Sequence, residues 1–239
     1  MRATRDARAS APTTEARAVK GLSEYLSGDY PRGLARTWPQ VAKRVVTGAM
    51  SPLERHRAGR LREAGPVRLH LGCADVYLDG WANLDMFDPR HRLDLRWDLR
   101  RDLPFPDATV RAIYAEHLFE HIDMAAGLKL LRECRRALAP DGVLRVTVPD
   151  LERYARSYLG DDPLIDDCRP NRPTRAVAFG EVFYHHGHRA MYDYETLALA
   201  LRTAGFGSVS RSEYGQGHLD PSPDSPNRQA ESLYVEAWP

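Results

Sequence analysis

The sequence predicts an α/β domain built on a mostly parallel sheet, and three observations lead there. A short apolar run, Val67–Leu71, stops abruptly at Gly72, as a buried strand does. Runs of similar length recur at 81–86, 110–115, 143–148, 209–214 and 233–238. Between some of them lie helix-period segments, 127–139 and 194–204, and strands joined through helices pair in parallel with helices on both faces of the sheet.

Taken in order, residues 1–20 are rich in Ala, Arg and Thr without periodicity, and a mobile tail is expected there. From 21 to 64 the pattern is helical in pieces. Leu22, Tyr25 and Leu26 form one apolar cluster, and Leu34, Trp38, Val41 and Val45 another, at spacings of three to four. Tyr30 and Trp38 are costly to leave in water, so a helical cap on the main domain is expected, with a partner-binding arm as the alternative. Residues 65–239 form the main domain.

Within it, the run ending at Asp85 is the second strand, and 110–115 leads into a helical stretch over 117–122. Leu128, Leu131, Cys134 and Leu138 share one face of an amphipathic helix. Pro140-Asp141-Gly142 then turns the chain into the strand 143–148. Leu197 and Leu201 point inward from the last helix, which Gly205 stops. Residues 161–175 and 215–228, rich in Pro, Asp and Gly, read as long surface loops.

Composition excludes several classes. A net charge of +1 creates no field toward nucleic acid or anionic lipid, and no basic stripe interleaved with aromatics appears. No segment reaches the roughly 20 apolar residues that span a bilayer. The N-terminal arginines precede no apolar run, so a secretory signal is not expected. Three scattered cysteines, Cys73, Cys134 and Cys168, fit a reducing, cytoplasmic setting.

The chemistry begins at LHLGCAD (69–75). A glycine directly after a buried strand lets bare backbone turn sharply and approach a ligand. Asp85, thirteen residues on, closes the next strand, where a carboxylate can accept both hydroxyl hydrogens of a ribose. Asp98, in the string Trp97-Asp98-Leu99, can accept from an adenine amino group. One glycine does not make the Gly-x-Gly-x-x-Gly cradle that a dinucleotide pyrophosphate needs. A ligand without phosphate, S-adenosylmethionine (SAM), does not demand it.

These strings resemble the class I SAM-dependent methyltransferases, particularly a compact bacterial branch. The resemblance rests on LHLGCADVYLDGWANLD (69–85), DLPFPDATVRAIYAEHLFEHI (102–122) and LKLLRECRRALAPDGVLRVTVPDL (128–151). It extends to HRAMYDYETLALALRTAGF (188–206) and ESLYVEAW (231–238). It implies a Rossmann-like, mostly parallel seven-stranded sheet, SAM as cofactor, and a cofactor site formed by Leu71, Gly72, Cys73, Ala74, Asp85, Met86, Asp98, Leu99, Ala115 and Glu116. Two departures stand out. His70 and Ala74 occupy positions where the family carries an acid and a second glycine. The step from Gly72 to Asp85 is also shorter than the roughly 20 residues of dinucleotide folds, so the first crossover helix must be truncated or replaced by a loop.

His117 follows the strand 110–115 and is the first candidate for a base or substrate orienter. His188 and Tyr192, four residues apart after the second loop, are the other catalytic candidates, with Tyr184 and His185 beside them. His117-Leu-Phe-Glu120-His121 also reads as the inverted zinc-protease string, and His185, His186 and His188 with an acid as a metal group. The methyltransferase context explains the first without metal and plain polar surface the second, so no resident metal is expected. The expected reaction is methyl transfer to a small-molecule, biosynthetic or sugar-like acceptor. The alternatives are cyclisation of SAM's own side chain with release of methylthioadenosine, and a non-catalytic SAM-binding module. A homodimer is left open.

Overall fold

The computed structural model describes the backbone of residues 33–184 and 187–239, and side chains from residue 39 onward. The expected tail, the first apolar cluster, Tyr30, the Trp38 side chain, His185 and His186 lie outside the described residues.

Helices α1 (Gly33–Ala49) and α2 (Ser51–Glu63) precede β1 (Val67–Leu71), β2 (Ala82–Asp85), β3 (Leu95–Arg96) and β4 (Val110–Glu116). Helix α3 (Met124–Ala137) and β5 (Leu138–Pro149) follow. Three helices come next, α4 (Leu151–Leu159), α5 (Leu164–Cys168) and α6 (Arg175–Tyr184). The chain closes with α7 (Tyr194–Thr203), β6 (Ser208–Ser212) and β7 (Ser232–Trp238). The seven strands form one sheet in the order β3-β2-β1-β4-β5-β7-β6. Strands β1 to β5 are parallel, and β7 runs antiparallel between β5 and β6. This is the Rossmann-like class I methyltransferase arrangement: two parallel halves diverge from β1 and β4, and their carboxyl ends open a crevice between them.

The main core fills one side of the sheet. Leu69, Leu71, Ile113, Ala115, Leu144 and Val146 meet Leu130, Leu131 and Cys134 of α3 and Leu197 and Leu201 of α7. Asp123 and Asp193 cap α3 and α7, their carboxylates accepting from Ala126 and Thr196 N–H. Gly205, at φ +101°, ends the last turn after α7.

The other side is held with more polar glue. Trp81, Tyr114, Val143 and Leu219 form a small cluster there. Beside it, fully buried Arg145 donates through Nε to Asp224 Oδ1 at 2.7 Å and through Nη1 to Glu236 Oε1 at 3.2 Å. That network pins the segment 215–228, so Leu219 and Asp224 are interior residues of what the composition reads as a surface loop.

Between β1 and β2 the described chain has turns and no helix, as the short spacing requires. Asn83, fully buried on β2, replaces the missing helix as a brace. Its side chain accepts from Leu78 N–H at 2.9 Å and His70 Nδ1 at 3.0 Å, and donates to the Leu78 and Trp81 carbonyls. Helix α2 covers β3: buried Glu54 accepts from the Arg96 amide at 3.1 Å, and Arg55 lies over the Trp97 ring. Of the apolar cluster Leu34, Trp38, Val41 and Val45, the two with described side chains, Val41 and Val45, are exposed, while Thr47, Ser51, Glu54 and Ala58 are buried.

Three further differences are local. The stretch 117–122 forms a 3-10 turn at Phe119–His121 rather than an α-helix. Pro140-Asp141-Gly142 sits within β5, in an irregularity between the pairs Val110–Leu138 and Ala112–Val143. Residues 151–184, of which 161–175 read as a loop, carry α4 to α6 around their own core of Tyr154, Leu164, Ile165, Ala178 and Val182.

Candidate active site

Strands β1, β2 and β4 end together, and a cleft of about 1100 Å³ opens over them. At its floor the chain leaves β1 through Gly72, with φ +68°. The Gly72 amide donates to Leu84 O at 2.8 Å, locking the turn to β2. A side chain here would be excluded twice: φ lies in the left-handed region, and a Cβ would fall 2.7 Å from Leu118 Cδ1. Ala74 keeps the left-handed backbone (φ 45°) at the position where the family pattern has its second glycine.

Asp85 ends β2 and faces this cleft. Its Oδ2 accepts from the Ala74 amide at 2.9 Å and its Oδ1 from the Met86 amide at 2.6 Å. Two donors use about half of a carboxylate's acceptor capacity, and the remainder suits a vicinal diol. Met86, Asp98 and Leu99 line the same cleft. Burial opposes the Asp98 charge, but Arg100 grips both carboxylate oxygens, at 2.8 and 2.6 Å, and holds the carboxyl below its ordinary range. Lys43 and Arg44 of α1 close the far wall.

A second cavity of about 440 Å³ shares Gly72, Ala74, His117, His121 and His188 with the first. It also meets Cys73, Glu116, Tyr154, Arg169 and Glu231. Burial pushes the Cys73 thiol up to about 12, which leaves it no nucleophilic role. Glu116 is committed to structure: it accepts from Tyr114 OH at 2.8 Å, from the Ser225 amide at 3.0 Å and from the Ser225 hydroxyl.

Against the sequence, the model of a methyltransferase domain matches residues 60–210. That span is well over half of the chain. The chain belongs to the methyltransferase-domain family.

Solved structures resemble this methyltransferase in fold. An Archaeoglobus fulgidus SAM-dependent methyltransferase shares 14% identity over 82% of this chain and 94% of its own, with TM-score 0.47. A Thermotoga maritima SAM-dependent methyltransferase shares 20% over 60% of this chain and 62% of its own, with TM-score 0.39. For a Nostoc punctiforme protein the values are 17%, 61%, 36% and 0.39. The chain thus spans about a third to three fifths of the length of the last two. No curated protein matches the sequence.

In this chain the predicted residues divide cleanly. Gly72, Ala74, Asp85, Met86, Asp98, Leu99, His117 and His188 line the larger cleft, and Cys73 and Glu116 only the smaller cavity. Leu71 and Ala115 are fully buried strand residues behind the floor. Tyr192 is 3% exposed and lines neither space; burial first, then Glu120 and Asp123, push its phenol up to about 12.

His117 stands at the junction with left-handed backbone (φ 47°). Ser232 spends its hydroxyl hydrogen on Arg228 O at 2.8 Å, so His117 Nε2, 2.8 Å from Ser232 Oγ, must be a donor. Its Nδ1 lies 3.2 Å from Glu120 Oε1, an ion-pair contact without the alignment of a good hydrogen bond. Glu120 enters the sequence reading only within the zinc-protease string, which the methyltransferase context explains without metal. Burial works against its charge, but the His117 and His121 imidazoles hold its carboxyl below the ordinary range. A signal was present, since Glu120 is the one acid in the string His117 to His121.

Proposed function

We propose that the chain transfers the methyl group of SAM to a small polar, hydroxyl-bearing acceptor that enters through the second cavity. The observation that carries this reading is Asp85, fixed by two backbone amides while facing the larger cleft. A preorganised carboxylate at the end of β2 suits the ribose of an adenosyl group. Residues Gly72 and Ala74 bring backbone to the same spot, and Asp98 and Leu99 suit the adenine side. SAM supplies a methyl carbon already activated by the sulfonium. What remains for the protein is alignment, and removal of a proton from the nucleophile.

His117 and His188 border both spaces, where nucleophile and methyl must meet. Both nitrogens of His117 face partners, so its role is to orient Glu120 and the cavity wall, while His188 lies on the boundary of the two spaces. The smaller cavity is bordered by Tyr154, Arg169 and Glu231, which bond to one another, Tyr154 OH donating to Glu231 Oε2 at 2.6 Å, and form a polar wall. Helix α1 belongs to this site as its far wall.

The test is incubation with SAM, alone and with a panel of polyhydroxylated acceptors, resolving products by chromatography. S-adenosylhomocysteine formed only with acceptor supports the proposal. Methylthioadenosine released from SAM alone moves the assignment to intramolecular cyclisation.

A further inference from the structure

We infer that Glu120, His121 and His188 form a binding site for a divalent transition-metal ion at the junction of the two cavities. One potential ligand atom from each lies within 4.8 Å of the other two. In a tetrahedral shell, bonds of about 2.0–2.2 Å set ligand atoms about 3.3–3.6 Å apart, so side-chain rotation has to draw the trio together by about 1 Å to close the shell. Two imidazoles and a carboxylate are a donor set that zinc, cobalt and iron(II) share, and that leaves positions open for an exogenous ligand.

Independent support comes from Glu120 itself. It is fully buried, and neither carboxylate oxygen makes a well-aligned hydrogen bond. A buried carboxylate with one oblique imidazole contact and a second imidazole nearby still lacks hydrogen-bond donors, which is costly, and a cation beside it removes that cost. The shell around the trio is built in the manner of metal sites. His188 Nδ1 lies 2.6 Å from the Val182 carbonyl, which fixes the tautomer with its lone pair on Nε2. His117 meets the Glu120 carboxylate from outside the trio at 3.2 Å. The Glu120 carbonyl accepts from the Arg189 amide at 2.6 Å, tying the turn Phe119–His121 to the segment that carries His188.

The 3-10 turn explains why the sequence string points elsewhere. On an α-helix, His117 would neighbour both Glu120 and His121, at i+3 and i+4, and would be the natural third member of the group. Here the left-handed backbone at His117 sends its ring toward Ser232, and the tight turn leaves Glu120 and His121 with His188. Both histidines border the two cavities, so open coordination positions face the acceptor space. We assign them to an oxygen donor of the acceptor; that role, though not the site, rests on the transferase reading.

Cobalt(II) titration of the dialysed full-length protein, followed by visible absorption, tests the site. One equivalent is expected to saturate intense bands of a low-coordinate ion. Glu120→Gln and His188→Gln are expected to weaken binding by more than the 10–100-fold that loss of an outer partner costs. His121→Gln, melted beside them, serves if either variant fails to fold. Spectra identical to cobalt in buffer, or a wild-type titration curve in the folded variants, overturn the proposal. Calorimetry with S-adenosylhomocysteine on the same samples separates the two readings. Cobalt binding without nucleoside binding keeps the metal site and removes the transferase assignment, whereas the converse removes only the metal.

Discussion

Asp85 Oδ2 accepts a hydrogen bond from the Ala74 amide at 2.9 Å, joining the end of β2 to the turn that leaves β1. The same carboxylate anchors the floor of the cleft and faces its interior. Asp85→Ala is therefore expected to weaken S-adenosylhomocysteine binding by about 1.5–3 kcal/mol, the scale of a charge-assisted hydrogen bond. Calorimetry reads the loss directly, and unchanged affinity removes Asp85 from the site. Asp85→Asn keeps one acceptor for the amides and should fall between the two.

The turn itself makes a prediction with opposite signs two residues apart. Gly72→Ala places a Cβ on a left-handed backbone and against Leu118, and should cost about 1–2 kcal/mol or more in chemical denaturation. Ala74→Gly relieves the same backbone preference at φ 45° and should stabilise by about 1 kcal/mol. Equal and opposite shifts are not required, because only Gly72 has a neighbour in the way.

His70 gives a pH dependence. Burial, the largest influence, lowers its pKa from 6.5, against the opposing pull of the Asn83 hydrogen bond and of the Glu116 and Asp85 charges. The unfolded chain therefore takes up a proton before the folded one does. The stability that neutral His70 contributes is complete above about pH 6.5 and is lost as pH falls toward the depressed folded value. One such group steepens the decline by at most about 1.4 kcal/mol per pH unit. His70→Gln, which can still donate to Asn83, should flatten the curve below pH 6.5 relative to wild type. Parallel curves in urea denaturation between pH 5 and 8 would remove His70 as the source.

How much of this was legible depended on whether burial left a mark in the residue pattern. Strands β1, β4 and β7 are apolar runs with clear stops, and α3 and α7 carry one-sided apolar stripes. Strand β3 is two residues, Leu95 and Arg96, too short to have a period, and it exists because β2 and α2 flank it. Helices α4 to α6 are interrupted by Gly160, Pro163, Pro170 and Pro173, so each is too short for a convincing stripe, yet together they enclose one core. The cleft residues Gly72 and Asp85 were readable from their positions at strand ends. The trio Glu120, His121 and His188 was not, because its geometry follows from a turn type and from a contact across 68 residues between Glu120 and His188.

The dock of α2 onto β3 changes what counts as the edge of this molecule. Glu54 answers a strand amide, and Lys43 and Arg44, one helix earlier, line the cleft. A stretch of chain synthesised before the first strand thus shields an outer strand and walls a ligand chamber at once. Trimming the gene to the apparent start of the nucleotide fold would strip both, turning a sealed flank into an adhesive one. Occupancy of the chamber and attachment of the leading helices become a single linked equilibrium, each drawing the other forward.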